Sequence, residues 1–287
     1  MHDQFRARRD AFLRKIGVFP VVMGILNLTP DSFSDGGRFV DVAAAVAHAR
    51  KLVADGCDIV DVGAESTRPD AIPVSAADEW ARLQPVLTEL ARTLDAPLSI
   101  DTYKAEIAAR ALKLGAVLIN DVWGLQKDPA MADAVAAAEA AVVVMHNRPE
   151  KDDSIDIVSD IRGFFDRSLE RAARAGIPKE RIILDPGIAF GKTSRQNRDV
   201  IARLGELRSY GLPIMVGVSR KSFLGSLAVG SPEASLIGTI AANLAAAARG
   251  AAIFRVHDVA EHVAALKVFG ALGAVVPAKA GTHTPYP

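Results

Sequence analysis

The sequence predicts an α/β fold, a single closed (βα)8 barrel of the TIM type, and three observations carry that reading. Short apolar runs of strand length alternate with longer segments whose apolar residues recur at helical spacing, which implies a parallel sheet with helices outside it. The alternation repeats eight times, which favours a closed barrel over an open doubly wound sheet. No linker or low-complexity stretch divides the 287 residues, and α/β barrels of about 250 residues routinely form one unit.

The elements follow in order. Residues 1–19 are charged, with Phe5, Phe12, Leu13 and Ile16 marking a short amphipathic N-terminal arm. The barrel is expected over 20–272. Its first strand is the apolar run from Val21, which gives way at once to Asn27, Thr29, Pro30, Asp31 and the glycines Gly36 and Gly37. Residues 41–55 are Ala-rich, with Val42, Val46, Ala49 and Val53 at helical spacing. Strands are then expected at 59–62, 97–101, 116–120, 141–145, 181–185, 212–218 and 252–256. The helices between them are expected at 76–94, 104–114, 129–138, 157–175, 198–209 and 233–249, and 259–269 closes the ring. The tail, 273–287, carries three prolines and no apolar periodicity, so disorder is expected there.

Half of the residues are apolar and 24% are charged, enough for a sizeable core. Lys+Arg and Asp+Glu balance at 34 each, so nothing in the net charge points to nucleic acid or a membrane surface. Any anion must therefore be held by local geometry. The single cysteine, Cys57, excludes an internal disulfide and reads as a packed thiol. With no run of eighteen apolar residues and no signal-peptide core, the chain reads as cytoplasmic.

In barrels of this kind chemistry sits at the C-terminal ends of the strands. Those positions hold Asn27, Asp61 with Thr67 and Arg68, Asp101, Asn120 with Asp121, His146, Asp185, Lys221, and Arg255 with His257. Charged groups at the ends of buried strands are costly unless paired or used. A mouth in which nearly every strand carries one is built to hold something polar. Asp101, Asn120 and Asp185 suit an amino-pyrimidinone edge rich in N–H groups, and Lys221 offers a donor to a ring carbonyl. Asn27, Arg68, Arg255 and His257 suit a diphosphate, which a planar guanidinium grips well.

The motifs around these residues are 21–37, Glu65–Ser66–Thr67–Arg68–Pro69, Ser99–Ile100–Asp101–Thr102, Ile119–Asn120–Asp121, 184–192, Gly217–Val218–Ser219–Arg220–Lys221–Ser222 and 255–259. In order and spacing this series resembles the dihydropteroate synthase family of pterin-binding enzymes, over about residues 20 to 270. The resemblance implies condensation of 6-hydroxymethyl-7,8-dihydropterin diphosphate with p-aminobenzoate by an SN1-like displacement, giving 7,8-dihydropteroate for folate synthesis. It implies Asp101, Asn120, Asp185, Lys221, Met145 and Gly217 at the pterin, with Asp101, Asp185, Lys221 and Asp35 catalytic. Asn27, Thr67, Arg68, Arg255 and His257 fall at the diphosphate, with Mg2+ on Asn27. Phe33, Pro69, Phe190 and Ser222 fall at p-aminobenzoate, and the resemblance implies a sulfonamide target. A homodimer is the family expectation. The alternatives are another pterin-binding barrel of the methyltetrahydrofolate methyltransferase type, or a non-catalytic paralogue. Neither needs the intact first loop together with the Ser219–Ser222 motif. Ala64, Asp70, Ala189 and Asn147–Arg148 depart from the commoner family pattern.

Other polar positions read as structural. Asp61 has no family match, Asp121 orients a loop, Arg220 makes a surface or salt-bridge contact, and His146 packs at a strand end. Glu65 braces the second loop.

Overall fold

The computed structural model describes residues 3–29, 41–66, 73–225 and 232–273. Eight parallel strands close into a barrel in the order β1 to β8. They are β1 (Val21–Asn27), β2 (Ile59–Gly63), β3 (Leu98–Asp101), β4 (Leu118–Asp121), β5 (Ala141–Met145), β6 (Ile182–Asp185), β7 (Ile214–Val216) and β8 (Ala251–Val256). The pairing of β1 with β8, Val21 opposite Ile253 and Met23 opposite Arg255, completes the ring.

Side chains on a strand alternate between faces, and that period of two builds the site. Met23, Ile59, Leu118, Val143, Ile183, Met215 and Ile253 form an apolar layer in the lower barrel. Two residues further along six of these strands stand Asp61, Asn120, Met145, Asp185, Gly217 and Arg255, the same face one layer higher. The intervening residues, among them Val60, Ile119, Val144, Leu184, Val216 and Phe254, pack outward against the helices. A strand that is apolar on both faces below and polar on its inner face at the top is thus a single reading frame.

The helices are α1 (Asp3–Lys15), α2 (Val42–Ala54), α3 (Ala76–Thr93), α4 (Ala105–Leu114), α5 (Met131–Ala137), α6 (Ile157–Arg174), α7 (Ser194–Ala202), α8 (Ser222–Gly225), α9 (Pro232–Ala247) and α10 (Val259–Ala271). Caps fix several starts: Asp41 accepts from Ala44 N at 3.0 Å, Ser75 accepts from Asp78 N at 3.1 Å, and Thr193 and Gln196 form a reciprocal capping box. The helix expected over 198–209 divides into α7 and a 3-10 stretch, Leu204–Tyr210, because Gly205 weakens the helical run. The four-residue α8 is too short to show periodicity and was not foreseen.

The N-terminal arm, expected to be amphipathic, holds the helix α1 and closes the bottom of the barrel. Phe12, 2% exposed, joins the lower layer with Val21, Met23 and Ile183. Arg9 is buried and donates to the Glu139 carbonyl. Phe5 packs so closely on the turn after α4 that a Cβ at Gly115 would strike its ring. The expected disordered tail lies outside the described residues, apart from Gly273. Among the described residues no helix is long and apolar enough to cross a membrane.

Candidate active site

The floor of the mouth is one hydrogen-bonded layer. Asp61, fully buried, accepts from Ser99 Oγ at 2.6 Å, from Asn120 Nδ2 at 3.0 Å and from Arg255 Nε at 2.6 Å. Arg255 also donates through Nη2 to Asp101 Oδ2 at 2.7 Å. Asp61 is therefore structural, as expected: it orients two residues that reach the cavity and itself stays below them.

Above this floor lies a cavity open at its mouth, and Asp101, Asn120, Asp185, Lys221, Phe190 and Arg255 line it. Met145 and Gly217 line it too, so the whole set expected at the pterin converges. Asp101 Oδ1 and Asn120 Oδ1 are buried acceptors with no partner among the described residues. Unpaired buried acceptors are costly, so a ligand that brings N–H donors is favoured here. Phe190 forms a wall, and the Lys221 ammonium stands 4.4 Å from its ring centroid, a cation–π contact. Val122 and Ile188 line the cavity as well. They were missed because an apolar residue just past a strand end carries no chemical signal in the sequence.

Burial sets the acidities. It raises Asp101 above the usual carboxylate range; Arg255 pulls that pKa down and the neighbouring Asp61 adds to the rise. Burial lifts Asp185 to about 6 against the Gly187 N–H, which donates to its Oδ1 at 2.7 Å.

On the neighbouring side of the mouth, His257 and Ser219 are paired. Ser219 Oγ accepts from the His257 backbone N–H at 3.2 Å and lies 2.9 Å from His257 Nδ1. The hydroxyl, with one proton and two lone pairs, can give to Nδ1 or accept from it, and in either tautomer it holds the neutral imidazole in place. Burial, then the Arg255 charge, lower the His257 pKa to about 4, which agrees with the neutral form. Arg220 bonds Asp258 at 2.5 Å, the salt bridge expected of it, and so ties the loop after β7 to the loop after β8. Asn27 ends β1 half-buried, opposite Gly63, and Ser222 opens α8 exposed. Phe33, Asp35, Thr67, Arg68 and Pro69 lie outside the described residues.

The structural readings are also located. Glu65 accepts from Val74 N at 3.0 Å, Tyr103 Oη at 3.0 Å and Lys104 Nζ at 2.6 Å, bracing the second loop where it re-enters α3. Asp121 accepts from the backbone N–H groups of Trp123 and Leu125 at 2.9 and 2.6 Å, fixing the loop after β4. His146 is fully buried and meets a buried lysine, Lys192, at 2.7 Å. Lys192 stood in a motif without a role, since only the folded loop shows where its ammonium goes.

The family model for pterin binding enzymes matches residues 23–257. The dihydropteroate synthase of Bacillus subtilis is 42% identical over 252 residues, covering 88% of each chain. Among solved structures, the dihydropteroate synthase of Clostridium difficile, determined in the presence of pteroic acid, is 46% identical with a TM-score of 0.87, covering 90% of this chain and 98% of that one. The Xanthomonas albilineans dihydropteroate synthase in complex with 7,8-dihydropteroate is 42% identical with a TM-score of 0.81, covering 91% and 96%. With the family model spanning most of the barrel and the strand-end residues converging on one cavity, the chain belongs to the pterin-binding enzymes, in their dihydropteroate synthase branch.

Proposed function

We propose that this chain joins 6-hydroxymethyl-7,8-dihydropterin diphosphate to p-aminobenzoate, releasing 7,8-dihydropteroate and diphosphate. The observation that carries the reading is the pair of unpartnered buried acceptors, Asp101 Oδ1 and Asn120 Oδ1, in one cavity with Asp185 and Lys221. A pterin edge supplies the N–H groups they lack, and Lys221 donates to the ring carbonyl.

The C–O bond between the exocyclic methylene and diphosphate breaks with its electron pair leaving on oxygen. Positive charge spreads into the pterin ring, where the Asp185 and Asp101 carboxylates are already in place to stabilise it. The amine of p-aminobenzoate then forms the C–N bond and loses a proton. Arg255 keeps N–H groups beyond the two engaged with Asp61 and Asp101, and these, with neutral His257 as donor, suit the departing diphosphate. Thr67 and Arg68 are assigned to the same anion, Asp35 to the catalytic set, and Phe33, Pro69, Phe190 and Ser222 to the arylamine.

Mg2+ is assigned to Asn27. Among the described residues no three His, Cys, Asp or Glu side chains group to hold a metal. A lone amide oxygen fits an ion held mainly by substrate phosphates and water, as Mg2+ commonly is. When bound it would neutralise charge on the leaving diphosphate.

A homodimer is assigned to the outer faces of α9 and α10. Ile237 on α9 is 66% exposed, Val268 on α10 is 61% exposed, and Leu272 just beyond is 78% exposed, three of the five exposed large apolar side chains among the described residues, on helices in contact. The buried Cys57 thiol, pushed up to about 12 by burial, is inert and compatible with a cytoplasmic setting.

A coupled diphosphate-release assay tests the reaction. Release from the pterin diphosphate that rises many-fold with p-aminobenzoate supports the assignment, and release indifferent to the arylamine contradicts it.

A further inference from the structure

We propose, building on the pterin assignment of Asp185, that Lys192 is a positioning residue for the reaction: its ammonium, seated on His146 and backed by Asp160, fixes both the Asp185 carboxylate and the Phe190 wall.

The loop from β6 to α7 turns sharply, with Gly187, Ala189 and Gly191 at φ of 67°, 70° and 57°. These left-handed residues leave backbone carbonyls without a helix or sheet partner. Lys192, 2% exposed, supplies one. Its Nζ lies 2.7 Å from Gly187 O, 3.1 Å from Phe190 O and 2.7 Å from His146 Nδ1. His146 Nε2 is 3.0 Å from Asp160 Oδ2. The hydrogen bond from His146 holds the Asp160 carboxyl below its usual range, so that oxygen is ionised and accepts. Nε2 must then carry the imidazole proton, and Nδ1 offers a lone pair. Lys192 faces three acceptors, and only a full ammonium has three N–H groups to give them.

A buried ammonium without partners is expensive, so this arrangement persists because every proton is used. Burial lowers the Lys192 pKa to about 7, and the carboxylates of Asp185 and Asp160 oppose that fall.

The consequence reaches the site through Gly187. Its N–H donates to Asp185 Oδ1 at 2.7 Å, and its carbonyl is the one Lys192 holds. No side chain fits at Gly187, since a Cβ would collide with the His146 carbonyl. Phe190 is held by its carbonyl in the same way, and Ala189 N donates to Asn197 Oδ1 at 2.7 Å. Lys192 touches neither reacting atom. It stands behind the carboxylate that faces the pterin and adds positive charge there.

Among the described residues, the charged groups that bear most on Asp185 are Lys192 on its own loop, Lys221 after β7 and Arg255 on β8. Those bearing on Lys192 are Asp185, Asp160 on α6, Arg148 after β5 and Lys221.

The test is the titration of Asp185 itself, followed by 13C NMR of labelled aspartate, with its signal assigned by its loss in Asp185→Asn. Lys192→Met should raise the Asp185 midpoint by about one pH unit. It should also weaken binding of 6-hydroxymethylpterin, measured by calorimetry at pH 6.5, where Lys192 is charged, by about tenfold. A role confined to stability would lower the melting temperature and leave that midpoint in place. Should Lys192→Met fail to fold, Asp160→Asn, at the half-exposed end of the chain of contacts, should raise the midpoint in the same direction by a smaller amount. An Asp185 midpoint and pterin affinity both unchanged in a folded variant overturn the proposal. If instead the midpoint moves but Asp185→Asn binds the pterin as the parent does, it is the pterin assignment of Asp185 that fails.

Discussion

Arg255 Nη2 lies 2.7 Å from Asp101 Oδ2, joining residues 154 positions apart across the mouth of the barrel. The same guanidinium bonds Asp61 in the floor, so one cation holds two buried carboxylates and leaves Asp101 Oδ1 buried without a partner among the described residues. The pterin side and the anion side of the mouth therefore share a residue.

Arg255→Met should strip both carboxylates of their counter-charge, at a cost of about 3–5 kcal/mol in stability. The sign of its pH dependence follows from Asp101, already raised by burial and now without the opposing guanidinium. The folded chain would then bind a proton that the unfolded chain has released, so the deficit should shrink as pH falls from 8 toward the unfolded carboxylate range. Urea unfolding at pH 5.5 and pH 8 measures it; a deficit that grows in acid would contradict the pairing.

Ser219→Ala should remove the hydroxyl that holds His257 at Nδ1. A loss of about 1 kcal/mol, one ordinary hydrogen bond, corresponds to roughly fivefold weaker diphosphate binding at pH 7.5. In the parent, His257 has a pKa of about 4 and should contribute no affinity change between pH 6 and 8. Calorimetry with diphosphate across that range checks both statements.

Phe12→Ala should cost about 3–5 kcal/mol by opening a cavity under the lower apolar layer. Because the site stands at the opposite end of the barrel, kcat for the folded fraction should change little. Denaturant unfolding and steady-state kinetics on one preparation separate the two effects.

The barrel was legible because its strands are apolar on both faces and its helices keep their period, as at Val42, Val46 and Ala49. The cavity lining was legible because Asp101, Asn120, Asp185 and Lys221 end strands where an apolar side chain would serve a core. The bond from Arg255 to Asp101 was not legible. A guanidinium at a strand end suits an anion or a carboxylate equally, and only the register of β8 against β1, and of β2 against β3, puts these side chains together. Lys192 was hidden for a related reason, since a lysine closing a glycine-rich loop reads as solvated until the loop folds over it.

The central claim is that unpartnered acceptors in the mouth read the N–H edge of a pterin. Calorimetry comparing 6-hydroxymethylpterin with its analogue lacking the 2-amino group tests it most directly. Removing that donor leaves buried acceptors unpaired, so the analogue should bind at least about 100-fold more weakly. Equal affinity for the two ligands would contradict the account.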